Sequence, residues 1–310
     1  MKLGFLTSCL PDVSFGELLR WTRGTRFAAV EVAAWPKTSD RKYKGQHLNV
    51  DSFNTSDAHR VKDLLGEMGV SISALAYYDN ILDSQSAARN GVRAHLKKVI
   101  DAASLLNVQL VGTFVGANPL LTPAETFREI VKEFEGILSY AIERGVKIMI
   151  ENCPMNGWQR PNTPGNLAYS PELWEALFNE LQSRDFGLNF DPSHLYWLGI
   201  DYEKAAREFG ERIFHVHAKD CELLPEGLYR YGIYGPQLTS DARDPGWWRY
   251  RLPGNGSLDW RRFIGVLREV GYDGVLSLEL EDPDWEGSEE KTKAALVQGA
   301  EFLSGLIKAS

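Results

Sequence analysis

An α/β fold made of eight successive strand–helix units in a single domain is predicted by three observations. Short apolar or β-branched runs alternate strictly with longer stretches of helical periodicity, eight such pairs can be counted, and no Gly-, Pro- or Ser-rich linker interrupts the 310 residues. Length alone would suit two domains of about 100–200 residues each. Unbroken alternation instead describes one (β/α)8 TIM barrel over residues 1–310.

Strands are expected at 3–7, 28–33, 71–77, 110–115, 147–151, 186–190, 213–218 and 274–279, where β-branched and large apolar residues cluster. Helices are expected at 14–23, 57–68, 87–106, 123–144, 171–183, 202–209, 259–270 and 289–308. In the fourth, Phe127, Ile130, Val131, Phe134, Ile137, Leu138 and Ala141 recur at spacings of three and four and form one apolar stripe. Ser170 before Pro171 reads as an N-cap with a first-turn proline, and Gly69, Gly145 and Gly271 stand where a left-handed C-cap precedes a strand. Surplus length falls into loops after strands two, five and seven, at about 35–54, 154–169 and 221–257. In such a barrel these loops build the active face, so their extension points to a covered small-molecule site.

Composition excludes other classes. Forty-two acidic residues against 34 basic ones give a formal charge of −8, and no run of basic residues offers a nucleic-acid surface. Apolar residues at 44% and charged residues at 25% suit a globular chain. Three cysteines without a C-x-x-C pair suit a reducing compartment, and Pro11 and Asp12 interrupt the only apolar run near the N-terminus. A cytoplasmic protein with no membrane partner is the expectation.

The last four strands each end in groups able to bind a metal: Glu151-Asn152, Asp191-Pro192-Ser193-His194, His215-Val216-His217-Ala218-Lys219-Asp220 and Glu279-Leu280-Glu281-Asp282. Adjacent parallel strands lie about 4.8 Å apart, so carboxylates and an imidazole at four neighbouring ends can converge on one cation. Burying Glu151, Asp191 and Glu279 together without a counter-charge would cost several kcal/mol per ion. A set dominated by oxygen favours Mn2+ or Mg2+, with Co2+ possible, and Mn2+ is the leading expectation.

On these residues the chain resembles the xylose isomerase-like barrel superfamily, and within it the sugar phosphate isomerase/epimerase group that includes tagatose 3-epimerase-like and inosose dehydratase-like enzymes. The resemblance implies metal ligands at Glu151, Asp191, His217 and Glu279, with His194 contacting substrate beside the metal. It also implies that Glu151 and Glu279 remove and return a proton next to a carbonyl, through an enediolate held on the cation. Homo-oligomers are common in the group, which fixes no number here. Its endonuclease branch draws histidines from the ends of strands three and four, which here read Ala74-Leu75-Ala76-Tyr77-Tyr78 and Thr113-Phe114-Val115-Gly116. That branch is therefore set aside.

The string Trp247-Trp248-Arg249-Tyr250-Arg251-Leu252-Pro253-Gly254-Asn255-Gly256 resembles a family element preceding a helix N-cap, here Asp259, and makes Arg251 a candidate substrate contact. Lys219 can bind a substrate oxygen or pair with Asp220, and the former is expected. His215 is divided between a ligand and a supporting role. Trp35, Trp158, Trp197, Trp247, Trp248, Tyr77 and Tyr78 fall in or beside the mouth loops and suit the C–H faces of a carbohydrate, with Trp158 as the chosen contact. The function expected is a metal-dependent sugar or polyol isomerase/epimerase. A lyase or dehydratase acting by β-elimination on an inosose or 3-keto-glycoside is the alternative, and a non-catalytic sugar-binding subunit comes third.

Overall fold

In the computed structural model, which describes residues 1–37, 45–155, 164–238 and 245–309, eight parallel strands stand side by side around a nearly closed barrel. They are β1 (Lys2–Phe5), β2 (Ala29–Ala33), β3 (Ser71–Ala76), β4 (Leu110–Thr113), β5 (Lys147–Glu151), β6 (Phe186–Phe190), β7 (Ile213–Ala218) and, after a hairpin of β8 (Asp220–Leu223) and β9 (Trp248–Arg251), β10 (Val275–Leu278). The sheet runs β1-β10-β7-β6-β5-β4-β3-β2. Its remaining seam is drawn together where Ala28 N donates to Leu3 O at 2.9 Å and a parallel bridge joins Leu6 to Glu31. Each barrel strand lies within two residues of its expected bounds.

The helices are α1 (Phe15–Thr22), α2 (Thr55–Met68), α3 (Ser86–Leu106), α4 (Pro123–Ile142), α5 (Pro171–Leu181), α6 (Pro192–Trp197), α7 (Tyr202–Glu208), α8 (Pro225–Tyr231), α9 (Trp260–Glu269) and α10 (Glu289–Ala309). Ile130, Phe134, Ile137, Leu138 and Ala141 of α4 are buried, as its stripe requires. Thr122 and Glu125 complete a reciprocal capping box at the start of that helix. Gly69 ends α2 at φ +69°, a conformation in which a side chain would be strained. Ser170 occupies the N-cap position of α5, but its hydroxyl makes no capping bond, so Pro171 supplies the start signal there. No described helix is long and apolar enough to cross a membrane.

Two departures from the expected element list bear on the site. The short α6 begins directly after Asp191, and the seventh loop contains β8, β9 and α8 where continuous loop was expected. The hairpin was written in period two, since Trp248 and Tyr250 alternate with Arg249 and Arg251. Asp220 ties this insertion to the barrel. Its two carboxylate oxygens accept bonds from Cys221 N (2.8 Å), Gly254 N (3.1 Å), Leu258 N (3.1 Å) and the Trp260 indole (2.8 Å). A Cβ on Gly256 would sit 2.2 Å from the same carboxylate, which is why the glycine stands there.

Replacing Asp220 would strand four donors at once, three of them on buried residues. Asp220→Ala should therefore destabilise the protein by about 3–5 kcal/mol, read as a lowered urea midpoint at unchanged m-value; a loss under about 1 kcal/mol would show that Asp220 does not anchor the loop.

Candidate metal centre

Asp191 shows how local structure aims a side chain. As the N-cap of α6 it spends Oδ1 on Ser193 N (2.8 Å) and Ser193 Oγ (2.7 Å), which leaves Oδ2 turned into the barrel mouth. Asn152, next after β5, bonds both the backbone N (2.8 Å) and O (2.9 Å) of Asp191 and so fixes the β5 and β6 ends against each other. One helical turn places His194 beside Asp191, with Nε2 3.0 Å from Glu151 Oε1 and 3.3 Å from Asp191 Oδ2. Its other nitrogen, Nδ1, meets the Tyr250 hydroxyl at 2.9 Å.

Glu151, Asp191, His217 and Glu279 converge from four neighbouring strand ends. One ligand atom from each lies within 4.8 Å of all the others, a spread that fits ligands about 2.0–2.2 Å from a shared cation. Two fully buried atoms in this group, Asp191 Oδ2 and His217 Nδ1, make no hydrogen bond. His217 Nδ1 lies 3.0 Å from Glu279 Oε2 without the direction a hydrogen bond needs. Two buried polar atoms left without hydrogen bonds in one cluster are what a divalent cation would satisfy, once His217 has given up its Nδ1 proton. These four residues could hold one, and the described geometry suits it.

The acids do not depend on a metal alone for counter-charge. The chain carries its own buried cation: Lys219 Nζ sits 2.8 Å from Glu279 Oε2, 3.2 Å from Asp191 Oδ2, 3.5 Å from Glu281 Oε2 and 4.4 Å from the Tyr250 ring centre. Asp220 is turned away into the loop anchor, so the alternative pairing of Lys219 with Asp220 is not what forms. Burial alone would raise Glu151, yet the charge and hydrogen bond of His194 outweigh it and bring the carboxyl down to about 2. Glu279 is likewise held far below the usual range, by Lys219 and His217 against burial. Glu281 goes the other way, because burial exceeds the pull of Lys219 and raises it to about 7.

Beneath this cluster lies a polar layer that sequence reasoning missed. Glu31 on β2 is fully buried and accepts from Tyr78 OH (2.6 Å), Ser277 Oγ (2.8 Å) and His217 Nε2 (2.9 Å). Burial opposes its charge, but His217 and His215 beside it hold it below the normal carboxylate range. The ionised Glu31 keeps a proton on His217 Nε2 and leaves Nδ1 as the atom facing the cluster. Asn189 also contacts His217 Nε2 (2.8 Å), donates to Tyr78 OH (2.6 Å) and faces His215 Nδ1 (3.0 Å), whose Nε2 reaches Ser73 Oγ at 3.1 Å. His215 therefore takes the supporting role, one layer deeper than His217. Glu31, His215 and His217 could also gather round a cation, as could Glu151, Cys153 and His194, but both nitrogens of His215 are already engaged. Burial pushes up the thiols of Cys9, to about 12, of Cys153 and of Cys221, so all three stay protonated.

The remaining expectations separate. Arg251 is taken up by Asp282 (3.1 Å) and Asp284 across the β9–β10 connection, which makes it a clamp in this structure. Trp158 lies outside the described residues. Several aromatic faces expected to meet a sugar are turned on other side chains: Trp197 stacks on Trp248 at 4.4 Å and 6°, Trp248 is also closed by Tyr250 at 4.7 Å, and Tyr77 lies 4.6 Å from the buried ring of His95. Tyr78 belongs to the Glu31 network, and a Cβ on Gly112 would fall 2.2 Å from its hydroxyl.

Two predictions follow from the charge balance. Removing the Glu31 charge with Glu31→Gln should weaken divalent-metal affinity about 10–100-fold in a chelator competition; unchanged affinity would disconnect the lower layer from the centre. The second concerns pH. Burial lowers His194 and His217, but the acidic groups around them win and raise both well above the ordinary value, so their stabilising contribution is full below about 6.5 and fades as pH rises through the folded values. Glu151 and Glu279 are depressed, so theirs is present above about 4.3 and fades as pH falls through the folded values. Metal-free protein should thus have its highest Tm between about pH 4.5 and 6.5, and the gain from added metal should grow with pH as His217 gives up a proton. A metal-free Tm that climbs steadily above that window would contradict the assignment.

A family model described as xylose isomerase-like TIM barrel matches residues 20–306. The protein YfiH of Bacillus subtilis is 29% identical over 304 residues, covering 91% of this chain and 93% of its own. An inosose isomerase of Bacillus velezensis is 24% identical over 261 residues, covering 80% and 78%. Among solved structures, an IolI protein with a bound zinc atom superposes with a TM-score of 0.72 at 19% identity over 100% of this chain and 99% of that one. A D-psicose 3-epimerase structure determined in the presence of D-fructose gives 0.71 at 15%, over 99% of each. The chain belongs to the xylose isomerase-like TIM barrel family.

Proposed function

We propose that this protein is a divalent-metal-dependent isomerase or epimerase of a sugar or polyol derivative, with Glu151 and Glu279 exchanging a proton beside a substrate carbonyl. The observation that carries the reading is that both glutamates share one buried cluster with Asp191 and His217, in which two polar atoms remain without hydrogen bonds. When bound there, a divalent cation, with Mn2+ favoured by the oxygen-rich donors, would supply positive charge to stabilise an oxyanion developing on the substrate. The residues divide the other tasks. Glu151 and Glu279 are both held ionised at neutral pH and can act as bases without prior deprotonation. Lys219 offers N–H donors to a substrate oxygen from within the same cluster. Tyr250 holds His194 by Nδ1, which directs Nε2 at the reacting region. The relatives named as inosose isomerases and as a psicose epimerase support a polyhydroxylated carbonyl substrate.

One observation favours elimination as a second reading. Glu281, lifted to about 7 by burial and placed beside Lys219, is an additional acid available at neutral pH, as departure of water or an alcohol would need. Exchange and product analysis distinguish the two. Glu151→Gln should retain metal by elemental analysis and lose exchange of the substrate's acidic C–H with deuterated water by at least about 10²-fold; exchange at the native rate would remove Glu151 from the chemistry. Appearance of an isomer supports the first reading, whereas release of water or an aglycone supports the second.

A further inference from the structure

Lys219 is 2% exposed, and a buried ammonium beside a metal centre is a conflict of like charges. Its Nζ lies 2.8 Å from Glu279 Oε2 and 3.2 Å from Asp191 Oδ2, and both residues belong to the four-ligand centre. These oxygens have other claims on them. Asp191 has only Oδ2 to offer, since Oδ1 accepts from Ser193 N and Ser193 Oγ, and Glu279 Oε2 is also the oxygen that His217 Nδ1 approaches to 3.0 Å. An ammonium and a divalent cation therefore draw on the same carboxylates.

Two groups outside the ligand set lie within reach of that ammonium. Glu281 Oε2 stands at 3.5 Å and the centre of the Tyr250 ring at 4.4 Å. Glu281 follows Glu279 by two positions, so one flexible lysine stem reaches both carboxylates with little movement. The ring is a fixed seat. Tyr250 is held by its hydroxyl on His194 Nδ1 at 2.9 Å and by Trp248 at 4.7 Å, and its π face favours a cation. The neighbouring cation Arg251 is tied instead to Asp282 and Asp284.

On the reading that Glu151, Asp191, His217 and Glu279 form one metal centre, we propose that Lys219 is a positioning residue that competes with the divalent cation for Glu279 and Asp191, and that metal binding transfers its ammonium to Glu281 across the Tyr250 ring. No covalent bond forms or breaks; one set of ion pairs replaces another. While the centre lacks metal the lysine keeps two carboxylates paired, and once metal binds its N–H donors stay beside the cluster, within reach of a substrate oxygen. Metal affinity is thereby set below what the four ligands alone would give, which makes the cation exchangeable. Glu281 is the acceptor that lets both cations occupy the same mouth.

The test is the Mn2+ affinity of the full chain at neutral pH, read by chelator competition. Lys219→Met should tighten binding by at least about tenfold, and Lys219→Arg, which keeps the charge, should leave it within about threefold of wild type. Glu281→Gln should weaken binding by at least about sixfold in the wild-type chain and by under about twofold beside Lys219→Met, because the ammonium that needs Glu281 is then gone. Equal losses in the two backgrounds would overturn the transfer. Far-UV circular dichroism checks that each variant is folded, and Glu281→Gln decides without Lys219→Met, since unchanged affinity there would overturn the transfer by itself. With wild type binding Mn2+ at this centre, a Lys219→Met chain that binds no more tightly would overturn the competition and leave the metal centre intact. Wild type that binds no Mn2+, or binding unchanged by Asp191→Asn, would overturn the metal centre and this inference with it.

Discussion

Glu151, Asp191, Glu279 and Glu281 are brought into the mouth of one barrel, the first two buried and the other two largely so, and much of that end of the molecule serves to keep their charge tolerable. Lys219 enters among them from β7, His194 arrives one helical turn after Asp191, and His217 presents a nitrogen from below. These internal cations offset the repulsion among so many acids in one place. They also explain why the neighbours titrate in opposite directions: Glu151 and Glu279 lie close to positive partners and are pulled down, while Glu281, at the margin of the same ammonium, is dominated by burial and rises.

The support beneath that cluster departs from an ordinary barrel interior. Such barrels are generally filled by layers of branched apolar residues. Here Glu31, Tyr78, Asn189, His215, Ser73 and Ser277 form a hydrogen-bonded layer under His217. The register between β2 and β3 slips at Val30/Glu31, leaving Ser73 without a partner, and that between β6 and β7 slips at Leu188/Asn189, leaving Phe214 without one. Bulges re-aim side chains, and both lie beside a residue of the polar layer. A buried polar network is favourable only when each member is satisfied, and the bonds around Glu31 and His215 meet that condition.

The seventh-loop insertion connects to the same centre. Asp220 fastens its root, β8 and β9 give it a rigid stem, and Tyr250 on that stem reaches His194. Three of the aromatic residues expected to line a sugar site, Trp197, Trp247 and Trp248, belong instead to this stem and its contacts. Trp197, Trp248 and Tyr250 pack on one another, so their contribution to the site is to place a hydroxyl and a cation-facing ring, whereas ring faces open to a ligand would have required unpaired aromatics.

Strand–helix alternation, the apolar stripe of α4 and the glycines closing helices were readable because each depends on residues near in sequence, and local periodicity carries that information. The acids at strand ends were readable for the same reason, since parallel strands in a barrel must bring their C-terminal ends to one rim. Glu31 and Asn189 carried no such mark. Glu31 sits in Ala-Val-Glu-Val-Ala, where one acid among apolar residues could face either side of the sheet, and its partners Tyr78, His217 and Ser277 are 47 to 246 positions away. The sequence alone determined the barrel, its active rim and the residue types able to bind a cation there. Tertiary structure alone decided which histidine faces the cluster, that Lys219 joins it while Arg251 is held elsewhere, and which acids are ionised. Those outcomes depend on distances between side chains brought together by closure of the sheet, and on the loss of water around them, neither of which any stretch of sequence contains.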